Sequence, residues 1–443
     1  MKKYRLYKDS GLDWLGDIPS HWSLMKNRFG FRKHKNGSNE SDSTSVLSLT
    51  IRGVKVKKDL NFGKSSESYI GHQLVEKGDI VFTPRDFDQT PILSDVSKFE
   101  GCISNLYIVD KTKDNVLNYF VNYYWYGLKY SVDYFKNFSH GMRYSFNRFQ
   151  FDEIPLIIPS YKEQIKIVEF LDDKTKKIDV LTYQKKEKIE LLKEKRSSLI
   201  DEVITRGIDG SSKMKDSKIE WIGNIPENWR IVPLRYLGFF QNGISKGSEF
   251  FGKGSPFMNY GDVYKNEITP IKVKGKVESN EIEKDRYSVK RGDVFFTRTS
   301  ESKDDIGITS TCLQTIEGCT FSGFVIRFRF YSETHLPEYS KYHFQTHWKK
   351  VLIESRMNIV TRSSLSQKVL GQVPVLLPQL EEQQQIVEYL DKQTEEIDTL
   401  IQLEQKKIDT LKEYRQSLIS EVVTGKVRVC EEDNSLSLNS QIV

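Results

Sequence analysis

Two stretches of about 45 residues, free of proline and almost free of glycine, close the two halves of this chain, and no other feature narrows its fold so much. In the first, Val168, Leu171, Thr175, Ile178, Thr182, Lys185, Ile189, Leu192, Arg196, Leu199 and Val203 step by alternating three and four positions. In the second, Val387, Leu390, Thr394, Ile397, Ile401, Glu404, Ile408, Leu411, Arg415, Leu418 and Val422 do the same. A period of 3.5 residues held this long predicts coiled coil. Pro159 and Pro378 precede the starts, and Gly207 and Gly425 mark the ends, as helix punctuation requires. At 1.5 Å per residue each rod is roughly 65–70 Å long. The central seam position is charged in both, Lys185 in one and Glu404 in the other. Residues 160–206 carry a net +2 and residues 379–426 a net −5. Antiparallel pairing of the two rods brings opposite charges together and fixes their register.

The remainder of the chain also repeats. "WLGDIPSHW" at residues 14–22 returns as "WIGNIPENW" at 221–229. "KGDIVFT" at 77–83 returns as "RGDVFFT" at 291–297, and "IPLIIPSYKEQIKIVEFLDDKTKKID" at 154–179 as "VPVLLPQLEEQQQIVEYLDKQTEEID" at 373–398. The offset drifts from 207 to 214 to 219, so the interiors changed length while the ends of each half stayed matched. Two long repeats imply a pseudo-twofold molecule. The tryptophans of the opening motif are expected to be core anchors.

Between opening motif and rod, short strand-like runs such as "VLSLTI", "GDIVFT" and "NLYIVD", or "PFMNYGDVY", "GDVFFTR" and "FSGFVIRFRF", precede a helical stretch, near residues 115–135 and 336–354. The expected class is α+β: two globular α/β domains separated by two long helices that pair as an antiparallel coiled coil. The expected boundaries are a first globular domain at 1–159, a central helical spacer at 160–207, a second globular domain at 208–378, a C-terminal helical spacer at 379–427 and a polar tail at 428–443.

Net charge is +6. The excess sits in the globular parts, with +5 over residues 1–159 and +6 over 207–378, which points toward a polyanion such as DNA. Basic, aromatic and amide side chains cluster in "GMRYSFNRFQ" at 141–150 and "RMNIVTRSS" at 356–364. Cys102, Cys312, Cys319 and Cys430 form no CxxC pair, so neither a disulfide framework nor a zinc ribbon is expected. No apolar run approaches about 18 residues and no signal-like segment opens the chain, so a cytoplasmic location and no membrane partner are expected.

Motifs for catalysis fall short. "GSEFFGKG" at 247–254 mimics a phosphate loop but ends in Gly254 where Ser or Thr would hold Mg²⁺. His343 and His347 have metal-pair spacing without a third ligand. No G-x-S-x-G is present, nor the [DNS]-P-P-[YFW] of amino-methyltransferases. The chain is expected to carry no active site.

The doubled W-x-G-x-I-P-x-x-W, the doubled G-D-[IV]-[VF]-F-T strand and above all the doubled P-x-x-x-E-Q-x-x-I-V-x-x-L helix start, closed by "RQSLISEVVTGKV", resemble the specificity subunits of type I restriction–modification systems. The resemblance spans nearly the whole chain. It implies that each globular segment is a target recognition domain reading one half of a split site in double-stranded DNA. The helices would set the unread gap and dock two adenine-N6 methyltransferase (modification) subunits, which two restriction/translocase subunits would join. S-adenosylmethionine, ATP and Mg would belong to those partner subunits, with no cofactor or metal in this chain. The alternatives are a recognition subunit of another class of restriction–modification system, a non-catalytic coiled-coil scaffold, and an enzyme such as a nuclease with an unrecognised site.

Base-contacting candidates lie in loops beyond shared strands, where function concentrates: Arg85 and Asp86 after "VFTP", and Arg298, Thr299 and Ser300 after "VFFT". Arg143, Tyr144, Asn147 and Arg148 join them, with counterparts Arg356, Asn358, Thr361, Arg362 and Ser363. Arg and Asn read guanine and adenine edges, and Ser and Thr hold phosphates.

Overall fold

In each half the opening motif folds as a small antiparallel hairpin, Tyr7–Asp9 with Asp17–Pro19 and Met214–Asp216 with Asn224–Pro226. The computed structural model describes residues 2–32, 37–58, 68–85, 92–131, 134–135, 145, 147–300, 306–332, 334–347 and 363–429. The chain after each motif pairs with the strand that precedes a long helix: Ser23–Lys26 with Pro155–Ile158, and Arg230–Pro233 with Pro374–Leu377. Trp22 and Trp229 are fully buried, and each reaches the first turn of that helix. Trp22 Nε1 donates to Glu163 Oε2 at 3.0 Å, and Trp229 Nε1 to Glu382 Oε1 at 2.9 Å. The neighbouring glutamines do parallel work. Gln164 accepts from the Leu117 N–H and donates to the Asn115 and Pro159 carbonyls. Gln383 accepts from Leu336 and donates to Thr334 and Pro378. The repeated Glu-Gln pair therefore ties three chain segments to one helix start. The first tryptophans differ from expectation. Trp14 is half-buried against Tyr134 at 4.8 Å, and Trp221 is 39% exposed.

Two compact units result, residues 1–186 with 406–443, and residues 187–405. In the first, an antiparallel sheet runs in the order Phe31–Arg32, Ile108–Thr112, Ile80–Phe82, Ser94–Val96. In the second the matching order is Gly238–Asn242, Val325–Phe330, Val294–Thr297, Thr309–Thr311. The helix Asn118–Ser131 covers the first core, and Pro337–His343 the second. One stretch read as a strand turns helical midway: Phe251–Met258 is a strand, but Tyr260–Tyr264 is a helix. The reason is a capping box, in which Asn259 and Asp262 satisfy each other's backbone N–H.

The long helices are Tyr161–Arg206 and Leu380–Val423. Every seam position is buried or half-buried, while the residues between are mostly exposed. Each unit joins part of one helix to part of the other. In the first, Leu171 and Ile178 share a core with Leu418 and Val422, and Arg415 Nε lies 3.3 Å from Asp179 Oδ1. In the second, Val203 shares a core with Val387 and Leu390, and Arg196 Nε lies 3.2 Å from Asp398 Oδ1. The run is antiparallel. The buried Glu404 carboxylate accepts from Lys188 Nζ at 3.1 Å within its own unit. The seam threonines are where the globular domains dock. Tyr123 Oη donates to Asp172 at 2.6 Å and touches Thr175 Oγ1; Tyr342 Oη does the same with Asp391 at 2.6 Å and Thr394. Among the described residues no helix is long and apolar enough to cross a membrane.

The second core encloses an imidazole. His335 is stacked on Phe330 at 4.6 Å beside Tyr339, His343 and Phe344. Burial, with His343 adding to it, holds its pKa well below the ordinary imidazole value. Below about pH 6.5 the unfolded chain therefore binds a proton that the folded chain refuses, and stability falls by up to about 1.4 kcal/mol per pH unit. His335→Phe should remove that part of the acid sensitivity. Urea melts of both proteins near neutral pH and near pH 5 check this; parallel losses in the two would refute it.

Candidate DNA interface

The repeated Gly-Asp is a turn that launches a strand. Gly78 has φ 91° and Gly292 φ 90°, the third position of a type II turn, where a Cβ is strained. Asp79 Oδ2 accepts from the Glu76 N–H and Asp293 Oδ2 from the Lys290 N–H, each at 2.7 Å. Asp293 also accepts from Arg329 Nε at 2.6 Å and Nη2 at 2.7 Å. Burial pushes its carboxyl up, and this guanidinium opposes the shift. The strands leaving these turns, Ile80–Phe82 and Val294–Thr297, deliver the candidate loops.

Those loops meet the other candidate segment in both units. Arg85 forms an antiparallel bridge with Ser145. Thr299–Ser300 pairs with Ser363–Ser364, with Ser300 opposite Ser363, and the Leu365 N–H donates to the Arg298 carbonyl at 2.8 Å. The two sequence clusters in each half thus share one edge. Arg85 is exposed there, while Arg298 is half-buried with Nη1 3.5 Å from the Gly323 carbonyl. Two candidates have local duties. Asn147 caps the helix Arg148–Asp152, its side chain and that of Gln150 each accepting from the other's backbone N–H at 2.9 Å. Arg148 bonds the buried Asp110 at 2.8 Å and Asp152 at 2.9 Å. At the 219 offset the cap equivalent to Asn147 is Ser366, whose Oγ accepts from the Val369 N–H. Asp86, Arg143, Tyr144, Arg356, Asn358, Thr361 and Arg362 lie outside the described residues.

The motifs set aside in the sequence have ordinary places. "GSEFFGKG" forms a short 3-10 turn, Ser248–Phe250, running into the strand Phe251–Met258. His343 is buried with a ring nitrogen 3.3 Å from the Pro374 carbonyl, and the His347 N–H donates to Asp201.

The family model for the type I restriction modification DNA specificity domain matches residues 45–191 and 226–413, most of the chain. The chain belongs to this family. It is the non-catalytic DNA-recognition subunit of a type I restriction–modification complex, and as such associates with that complex's methyltransferase and restriction subunits. It is 25% identical over 336 residues to the type I restriction enzyme MjaVIII specificity subunit of Methanocaldococcus jannaschii, covering 74% of this chain and 75% of that one. To the EcoKI specificity subunit of Escherichia coli K12 it is 22% identical over 293 residues, 62% of this chain and 58% of that one. A solved chain from work on complex assembly and conformational transition of the type I R-M system shares the fold, with a TM-score of 0.67 and 16% identity over 93% of this chain and 99% of that one.

The specificity subunit also carries a basic ribbon that the sequence reading passed over. Lys272, Lys274 and Lys276 are exposed at every second residue, entering the strand Gly275–Val277 that pairs with Phe251–Met258. A cavity of about 360 Å3 beside it is lined by Phe251, Phe257, Asn259, Lys274 and Lys276. Lys276 lies in the edge strand of a three-stranded sheet, and Lys272 and Lys274 lead into it, so a row of cations borders one sheet edge where a polyanion can approach. The K-x-K-x-K spacing was the available signal.

Proposed function

We propose that this specificity subunit reads a bipartite DNA site, one half with each globular domain, and docks two adenine-N6 methyltransferase subunits and two restriction subunits along its helices in the cytoplasm. The carrying observation is the edge built twice, Arg85 with Ser145 and Ser300 with Ser363. Both edges join the described members of the two candidate segments beyond the end of a shared strand. Domains 1–159 and 208–378 are the readers, 160–207 and 379–427 the spacers, and 428–443 a tail. Base contacts fall to Arg85, Asp86, Arg143 and Tyr144, and to Arg298, Thr299, Ser300, Arg356, Asn358, Thr361, Arg362 and Ser363. Asn147 and Arg148 hold the first edge in shape. The ribbon lysines add phosphate contacts, which makes binding steeply salt-dependent. Docking is supported by apolar side chains left exposed on the helices, Val180, Leu181 and Tyr183 in one unit and Leu400 and Leu403 in the other, a pattern that marks interaction surfaces. S-adenosylmethionine, ATP and Mg bind the partner subunits.

The test is co-expression with the methyltransferase subunit, followed by genome-wide mapping of methylated adenines. One split motif with a constant gap, present only when both chains are made, is the expected result. A stable complex that leaves no new methylation would refute the reading.

A further inference from the structure

One arginine of each long helix ends differently in the two units. Arg196 and Arg415 stand at the 219 offset, and each faces an aspartate of the other helix, Asp398 and Asp179. In the second unit the globular domain adds a carboxylate. Arg196 Nη1 and Nη2 donate to Glu267 Oε1 and Oε2 at 3.1 and 2.8 Å. In the first unit Arg415 lies over the Tyr126 ring at 5.1 Å and lines a cavity of about 660 Å3.

The turn that flanks the matching strand of the first unit carries the opposite charge. Glu267 flanks the strand Thr309–Thr311, its carbonyl accepting from the Thr311 N–H. The matching strand, Ser94–Val96, is flanked by the turn at Arg52 and Gly53, where the Val54 N–H donates to Asp95 Oδ2 at 2.8 Å. Arg52 is exposed and lines the same cavity as Arg415. Lys129 and Lys412 line it as well, Lys412 bonded to Asp409 at 3.1 Å, and among the described residues its lining acids are Asp95 and Asp179. Of those two acids, one already caps a backbone N–H and the other already faces Arg415.

We infer that this cleft receives an aspartate or glutamate side chain from a protein subunit docked on the long helices. The inference rests on the docking reading above. A guanidinium takes a carboxylate through two parallel N–H bonds, the arrangement that Arg196 makes with Glu267. Both long helices contribute to the wall, and Asp179 is shared with a second cavity, of about 600 Å3, that the exposed Val180 and Tyr183 line. The cleft is therefore continuous with the apolar surface proposed for docking. A protein side chain is favoured there over a DNA backbone, because the adjoining wall exposes the apolar Val180 and Tyr183. The second unit closes its own version with Glu267, so it offers no such socket, and the two docking positions differ in affinity.

The experiment measures binding of the methyltransferase subunit to the full-length chain, to R52E and, as a control for net charge, to K8E on the exposed strand Tyr7–Asp9. R52E should weaken binding about tenfold, the scale of a close interfacial charge pair, while K8E stays near wild type. Zero-length carbodiimide coupling of the wild-type complex should join Lys129 or Lys412 to an Asp or Glu of the partner. Normal binding by R52E, or coupling of these lysines only to this chain's own acids such as Asp409, which Lys412 already bonds, would overturn the inference and leave docking intact. A wild-type chain that binds no methyltransferase subunit would overturn the docking reading, and this inference with it.

Discussion

Trp229→Ala should cost the second unit about 3–5 kcal/mol of stability, and Trp22→Ala should cost the first as much. Both rings are fully buried at the point where opening hairpin, pre-helix strand and helix start converge. Truncation leaves a cavity that three rigid segments cannot close. It also strips a donor from the carboxylate that receives the indole. Trp→Phe separates the two effects, since it keeps most of the ring and deletes only the N–H. That loss is roughly 1–3 kcal/mol where the acceptor stays buried. Glu163 keeps the Tyr4 hydroxyl at 2.6 Å and His21 at 3.1 Å, so Trp22→Phe should fall at the low end. Urea unfolding followed unit by unit reads these values. A shift under about 1 kcal/mol for either alanine variant would show that the repeated motif does not anchor the fold.

Replacing residues 1–159 with the matching segment of another specificity subunit should change one half of the methylated motif completely and leave the other half untouched. The reason lies in the joints. Each globular domain meets its helix through the same set of groups: a buried tryptophan on glutamate, a glutamine on the start of the covering helix, and a tyrosine on an aspartate and a seam threonine. A donor segment that keeps Trp22, Leu117 and Tyr123 equivalents will seat on Glu163, Gln164 and Asp172 without redesign. Adenine mapping of the hybrid checks this. A change in both halves, or loss of all methylation from a stable hybrid, would mean that the two domains do not read independently.

The coiled coil was legible because a 3.5-residue period is a local property; every seam residue from Val168 to Val203 is at least half-buried. The Gly-Asp turn was legible for the same reason. The burial of Trp22 and Trp229 was legible too, but the carboxylate each indole meets was not, because the Trp22–Glu163 bond spans 141 residues and neither partner has a local signature. Asn147 shows a signal overlooked: Asn-x-x-Gln is a capping box in plain sequence, and the stretch at 259–262 hid another inside an apparent strand. Arg148 looked free beside aromatic neighbours, yet the buried Asp110 that claims it sits 38 positions away. Charge in a cluster shows that cations are present, but only the fold shows which are already neutralised.

The ends of the long helices have a consequence for connectivity. After Gly207 a short peptide leads to the hairpin strand Met214–Asp216, and Gly207 packs beneath Trp229 and Pro226. After Gly425, which packs beneath Trp22 and Pro19, the chain meets the first hairpin without a covalent link: the Arg428 N–H donates to the Lys2 carbonyl at 2.9 Å and Tyr7 Oη to the Gly425 carbonyl at 3.1 Å. One join is a peptide and its counterpart is a handful of hydrogen bonds. A polypeptide cut after Gly207 and spliced from Arg428 to Lys2 would thread the same two units in rotated order, each hairpin still seated on the helix end it packs against.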